Sequence, residues 1–295
     1  MVKNIIINFP SNIGDTFLGL PTLDKLKSNY PNSKIDAISS PKTNDFIIRH
    51  NFINKVILFD KSWPLRQKRK FAFSLKGRYE MIVDLKNSFL PVIIGAKLRT
   101  PFLRKSLKEL HQKDRYLWLI SKITKDVKIL QGDFELSSDE KNKWDNLNLE
   151  SSIFIAGSSR SKVKMYDYDH LKTVLKALSS KNKLVILGQE QDRDFYRDIL
   201  TLENTIDLVG KTEIFDVFYL LKKYAKALIA VDSGILHLAG YINIPTVALI
   251  GPTTAIGYEP YSEKNILLLY KNTEPDYGSI KIEPRKVIEA VRQLC

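Results

Sequence analysis

Three turns hold residues whose types and spacing suit chemistry, and each follows a short apolar run. The first is Asn8–Phe9–Pro10–Ser11–Asn12–Ile13–Gly14–Asp15–Thr16. Gly14 permits close approach or a positive φ there. Asp15 at a helix start has two readings, a helix cap or a general base for an attacking hydroxyl. The second is Gly157–Ser158–Ser159–Arg160–Ser161–Lys162–Val163–Lys164. Small hydroxyl residues at a strand-to-helix turn offer N–H groups and hydroxyls to phosphate, and Lys162 and Lys164 add positive charge. The same run also reads as an ordinary polar turn, and it lacks the GlyLysSer/Thr ending of a Walker loop. The third is Val231–Asp232–Ser233–Gly234–Ile235–Leu236–His237–Leu238–Ala239. Gly234 and its neighbours direct free N–H groups and the positive end of a helix dipole outward, as a diphosphate requires. His237 falls in the first turn of that helix, close to Asp232 and Ser233.

Two rival chemistries fit poorly. Ser233 is not in a GlyXaaSerXaaGly elbow, and Asp232 and His237 are too local in sequence for a hydrolase triad. The four histidines (His50, His111, His170, His237) are scattered, the single cysteine is the last residue, and no AspXaaAsp run follows a strand. No metal site is expected.

The elements that must position these turns alternate between strand and helix. Ile5–Asn8, Ile35–Ile38, Val56–Phe59 and Met81–Asp84 read as strands, with helices to about Tyr30 and over Ser88–Leu98 and Arg115–Ile123. A polar stretch from about Leu130 to Ser152 marks a boundary, giving domains 1–150 and 151–295. The pattern then restarts with strands Ile153–Ala156, Leu184–Leu187, Ala227–Val231 and Thr246–Ile250. Helices are expected over Asp167–Ser179, to about Leu200, over Glu213–Tyr224 and from Gly234. Pro284 opens a terminal helix, a candidate to pack back on the first domain. Such alternation implies α/β architecture with parallel, doubly wound sheets, whose ligands sit outside the carboxyl ends of the strands. Two such domains would make a cleft for two substrates.

The charge is lopsided. Of the net +13, residues 1–150 hold +11, from 27 Lys/Arg against 16 Asp/Glu. Lys61 to Arg78 has seven basic residues and no acid. This segment, with Lys68, Arg69 and Lys70 at its centre, reads either as a solvated face or as a contact for an acidic acceptor, a membrane surface or nucleic acid. No nucleic-acid-binding signature accompanies it, so nucleic acid is not expected. No apolar stretch has the length of a membrane span or of a signal peptide, and a cytoplasmic location is expected.

Taken in order, the three turns resemble the ADP-heptose:lipopolysaccharide heptosyltransferase family, glycosyltransferase family nine. Ile13–Lys27 looks like its opening helix and Tyr79–Leu85 like a recurring strand. Asp207–Thr212 is similar to its donor-domain approach, and Val231–Ala239 with Ile244–Thr253 resembles its closing signature. The resemblance implies a GT-B fold of two facing Rossmann-like domains, with an inverting reaction that needs no metal or other cofactor. By position it makes Asp15 the general base. It assigns Ser158, Ser159 and Lys164 to the diphosphate, Lys164 rather than Lys162 because Tyr166 falls at the family's aromatic position. Glu190 would face the nucleoside ribose, Asp232 the sugar, and Ser233, Gly234 and His237 the phosphates. The acceptor would be an acidic lipopolysaccharide or lipooligosaccharide core, met peripherally at the cytoplasmic face of the inner membrane. Another nucleotide sugar, a protein acceptor, or a non-catalytic nucleotide-sugar-binding protein are the alternatives.

Overall fold

The computed structural model describes residues 2–102, 107, 109–251, 257–272 and 278–295. Pro252 and Thr253 of the closing signature lie outside them. The chain divides into two compact units, Met1–Leu136 and Ser137–Cys295.

In the first unit the elements run β1 (Asn4–Asn8), α1 (Ile13–Asn29), β2 (Lys34–Ser39), α2 (Asn44–Ile47), β3 (Lys55–Leu58), α3 (Leu65–Ser74), β4 (Met81–Asp84), α4 (Leu90–Ile94), β5 (Leu98–Arg99) and α5 (Gln112–Ile120). Its described strands form one sheet in the order β3-β2-β1-β4-β5, with every pairing parallel. The central strand explains the apolar run at its start: Ile5, Ile6 and Ile7 are fully buried because both sheet faces are covered. Ile6, Ile38 and Ile82 meet Leu75 after α3 and Ile94 of α4, with Phe71 and Leu90 packed beside them. The helix expected over Ser88–Leu98 is shorter. Gly95 adopts the left-handed conformation (φ 70°) and ends α4, which releases Leu98–Arg99 to pair with β4.

The second unit runs α6 (Ser138–Asp145), β6 (Ser152–Ala156), α7 (Tyr168–Ser179), β7 (Leu184–Ile186), α8 (Arg193–Tyr196), β8 (Thr205–Asp207), α9 (Ile214–Tyr224), β9 (Ala225–Val231), α10 (Gly234–Tyr241), β10 (Thr246–Ile250), β11 (Asn265–Leu269) and α11 (Pro284–Leu294). The described strands form a parallel sheet ordered β11-β10-β9-β6-β7-β8. Its start precedes the expected boundary at 150, because α6 is tied to α9. Trp144 Nε1–H donates to Asp216 Oδ1 at 2.7 Å, and Lys143 pairs with Asp216 Oδ2 at 3.1 Å. The last helix packs on its own unit: Val287, Ala290 and Val291 of α11 are buried in the core with α7 and strands β6, β9 and β10. No helix among the described residues is long and apolar enough to cross a membrane.

Candidate active site

In the second sheet β6 lies between β7 and β9, and the chain winds outward from it in both directions. The turns after β6 and β9 therefore diverge at the carboxyl edge and leave a crevice between them, the place where such sheets take ligands. The turn after β6 is built around Tyr196 of α8, which is fully buried. Its hydroxyl accepts the N–H groups of Gly157 and Ser158, both at 2.9 Å. Burial pushes this phenol up to about 12, so it stays neutral. These two amides are thus committed to the fold, against the expectation that the turn offers them to phosphate. A side chain at Gly157 would bring its Cβ to 3.1 Å from Leu171, so the turn packs tightly on α7.

Beyond Ser158 and Ser159 the chain makes a 3₁₀ turn over Lys162–Lys164, and this separates the two lysines. Lys162 is exposed, whereas Lys164 Nζ reaches Asp232 Oδ2 at 2.6 Å. Asp232 stands where β9 ends, with 9% of its side chain exposed, and Lys164 retains 33%. His237 Nε2 is 3.7 Å from the other carboxylate oxygen. That is beyond hydrogen-bond length, so the contact is electrostatic and depends on imidazole protonation.

Ser233 occupies the N-cap position of α10 without capping it. Its Oγ is buried and has no hydrogen-bond partner among the described residues. An unmet buried hydroxyl is uncommon. The first amides of α10 begin at Gly234 and have no intrahelical acceptor, so the mouth carries partial positive charge beside Lys164. Lys164, Asp232, Ser233, Gly234 and His237 therefore meet at one helix mouth, next to the turn bearing Ser158 and Ser159. Tyr258 adds a ring 6.1 Å from that of His237, a residue with no periodic signal in the sequence.

Glu190 follows β7, one strand further along the same edge. Arg193 holds it by two contacts, Nε to Oε1 at 2.8 Å and Nη2 to Oε2 at 3.1 Å, and also binds Asp207 at the end of β8. The guanidinium keeps the Glu190 carboxyl below its ordinary range. Gly210 is required beside it: its φ is +72°, and a Cβ would lie 2.0 Å from Glu190 Oε2. Arg193 was not singled out from the sequence, although its i,i+3 spacing from Glu190 was a signal.

In the first unit Asp15 lies in the first turn of α1, and Asn12, not Asp15, takes the N-cap position. Asn12 Nδ2 donates to Asp15 Oδ2 at 3.2 Å. Gly14 is inside the helix and does not adopt a positive φ. The switch point of this sheet is between β1 and β4, where Asn8 Nδ2 donates to Asp84 Oδ1 at 2.7 Å. Asp84 is buried and also accepts from the Lys86 and Ser88 amides and the Ser88 hydroxyl. Sequence reading placed Asp84 at a strand end and gave it no role. It lines a cavity of about 180 Å³ with Asn87, Ser88, Arg99, Thr100 and Phe102. Lys68, Arg69 and Lys70 lie apart from these groups, on α3 over the sheet face, with Arg69 and Lys70 exposed.

Residues 69–284 match the family model described as glycosyltransferase family 9 (heptosyltransferase). Lipopolysaccharide heptosyltransferase 2 of Escherichia coli K12 is 26% identical, over 98% of this chain and 98% of that protein. Among solved structures, the E. coli ADP-heptose lipopolysaccharide heptosyltransferase II superposes with a TM-score of 0.78 at 23% identity, covering 99% of this chain and 98% of that one. A family 9 glycosyl transferase from Veillonella parvula gives 0.82 at 20% identity, covering 99% and 97%. The fold is GT-B, two Rossmann-like domains with parallel sheets.

Proposed function

Because the chain belongs to glycosyltransferase family 9, we propose that it moves a heptose from ADP-heptose onto an acidic lipopolysaccharide or lipooligosaccharide core, with inversion and without a metal. The names of its relatives support the donor and the acceptor class. The observation that carries the reading is the α10 mouth, where Lys164 and a buried, unpartnered Ser233 hydroxyl stand beside free helix amides.

The acceptor hydroxyl attacks the anomeric carbon from the face opposite the diphosphate, and the bond from that carbon to the diphosphate oxygen breaks. Asp15 takes the hydroxyl proton, a contribution of about 10²–10⁴ in rate. Charge builds on the departing ADP, and Lys164 with the α10 amides opposes it. Lys164 is pre-positioned by Asp232, which also orients the sugar, and a diphosphate arriving at the mouth shares that cation. Ser233 supplies a hydroxyl, His237 a ring nitrogen, and Ser158 and Ser159 their side chains. Glu190, held by Arg193, accepts from the ribose. The basic first half supports an acidic acceptor met at the cytoplasmic face of the inner membrane, with Lys68, Arg69 and Lys70 as its contacts.

A panel of nucleotide diphosphates and their sugars, read by thermal stabilisation, tests the donor. ADP compounds are expected to stabilise selectively, and a preference for UDP or GDP would overturn the assignment. Asp15→Asn is expected to keep the ADP response and lose turnover by about 10²–10⁴-fold; equal turnover would remove the general base. Transfer is expected to persist in EDTA.

A further inference from the structure

We propose that the outer surface of α3 and α4 is a docking face for an anionic lipid bilayer, with its apolar side chains inserted among the acyl chains and its cations at the headgroups. It rests on the membrane location proposed above and not on the donor chemistry.

The two helices lie side by side over one face of the first sheet, and both give their inner residues to the same core: Phe71 and Leu75 from α3 and its end, Leu90 and Ile94 from α4. Their outer residues are not the polar set that a solvated surface needs. On α3, Leu65, Arg69 and Phe73 recur at i, i+4 and i+8 and so share a stripe, with Arg66 and Lys70 beside it. Leu65 is 63% exposed and Phe73 62%. On and around α4, Phe89 is 74% exposed and Val92 53%, with Ile93 and Phe102 also out in solvent. The rings of Phe89 and Phe102 touch edge to face at 5.5 Å between centroids, so these two are paired and not scattered singly, and Val92 lines the same cavity as Phe102.

Charge selects the occupant. Between Lys61 and Phe102 there are ten Lys/Arg and two acids, Glu80 and Asp84. Both acids are tied up by the fold. Glu80 accepts the backbone amides of Lys3 and Asn4, and Asp84 is the buried carboxylate at the end of β4. The face thus presents Leu, Val, Ile and Phe side chains among an excess of cations, with Asp60 beside Lys61 and Lys68 as its outward anion, a composition close to that of surfaces that lie in the headgroup region of anionic membranes. A second copy of the chain would set the same cations against each other. Nucleic acid would leave the aliphatic Leu65, Val92 and Ile93 without a complementary surface.

Co-sedimentation of the full chain with vesicles tests this, using phosphatidylcholine alone against phosphatidylcholine with 30% phosphatidylglycerol (about; a composition giving surface potentials of the physiological order). Wild type is expected to bind the anionic vesicles at least tenfold better and to lose that binding as salt is raised. Phe73→Ser with Phe89→Ser is expected to weaken anionic-vesicle binding about tenfold or more. The same variant should keep its rate on a water-soluble, lipid-free acceptor and its thermal response to ADP. Leu65→Ser with Val92→Ser provides a second pair if the first melts early. Equal binding to neutral and anionic vesicles, wild-type binding by both folded pairs, or a self-association without vesicle binding would each overturn the proposal. Loss of the ADP response in wild type would instead strike the donor reading.

Discussion

Both sheets wind outward from a central strand, and both place a carboxylate at the point where the winding direction changes, yet the two carboxylates are held in different ways. Asp84 in the first unit accepts hydrogen bonds from the Asn8 amide, two backbone amides and one hydroxyl. All four hydrogen-bond donors are neutral; three of them belong to the turn Asp84 fixes in place and the fourth is the Asn8 side chain of β1. Asp232 in the second unit meets a lysine and stands 3.7 Å from a histidine ring nitrogen. Neutral donors that are part of the backbone cannot leave without unfolding a turn. A lysine on a flexible stem can redirect its charge to an arriving phosphate. The first arrangement is suited to rigidity and the second to exchange with a ligand, so the same topology gives a scaffold at one switch point and the proposed donor mouth at the other.

Lys164 is where that comparison breaks most visibly. Lys164→Ala removes the cation proposed to oppose charge on the leaving diphosphate, and turnover is expected to fall by about 10²–10³-fold. The ligand-free protein should also lose about 1–2 kcal/mol, because the nearly buried Asp232 loses its lysine while one third of Lys164 was already in water. Lys162→Ala, on the exposed side of the same turn, should change turnover by less than about threefold. Steady-state transfer assays on both variants decide it, and equal losses would return the choice of lysine to the open.

The first unit should respond to acid through a buried histidine of its own. His50 is buried, and its Nδ1 accepts the Phe52 amide at 3.3 Å. Burial lowers its pKa from 6.5 to about 4. In the unfolded chain the imidazole protonates first, so its stabilising effect is complete above about 6.5 and is lost as pH falls toward 4. The expected loss is about 2–3 kcal/mol, and His50→Gln should flatten it. Urea unfolding followed by hydrogen exchange in β1 and β6 would separate the units, and a loss equal in both would refute the assignment to His50. Asp84→Asn should cost about 1–3 kcal/mol, because the new amide confronts N–H donors with a donor of its own. Its ADP-induced stabilisation should be unchanged. The converse is expected of Asp232→Asn, with a larger effect on turnover than on unfolding.

The central strands were legible because both of their faces are buried and their residues form continuous apolar runs, as in Ile5–Ile7 and Ile153–Ala156. The short strands β5, β8 and β11 were not. They carry two to five residues and are half or fully exposed, so neither length nor alternation marks them. The turns of the donor mouth were visible as small and charged residues following strands. Groups acting across the fold were hidden. Tyr196 captures the amides of Gly157 and Ser158 from 38 to 39 residues away, and Asn8 reaches Asp84 over 76. Spacing along a chain reports on local geometry only, and these contacts exist through the parallel register of neighbouring strands.

Ser233 gives the smallest effect and the sharpest separation of scaffold from ligand site. Its Oγ is buried with no partner among the described residues, so in the ligand-free protein the hydroxyl is a desolvated group with no compensating bond. Ser233→Ala should therefore leave ligand-free stability unchanged or raise it by up to about 1 kcal/mol. With ADP bound, the wild-type hydroxyl gains its partner and the variant does not. Affinity should fall by about 0.5–1.5 kcal/mol, roughly two- to twelvefold. Calorimetric titration with ADP beside a thermal melt of the ligand-free variant measures both halves. A melt lowered with affinity intact would make Ser233 a second Asp84, a group serving the fold, and would remove the contrast between the two switch points.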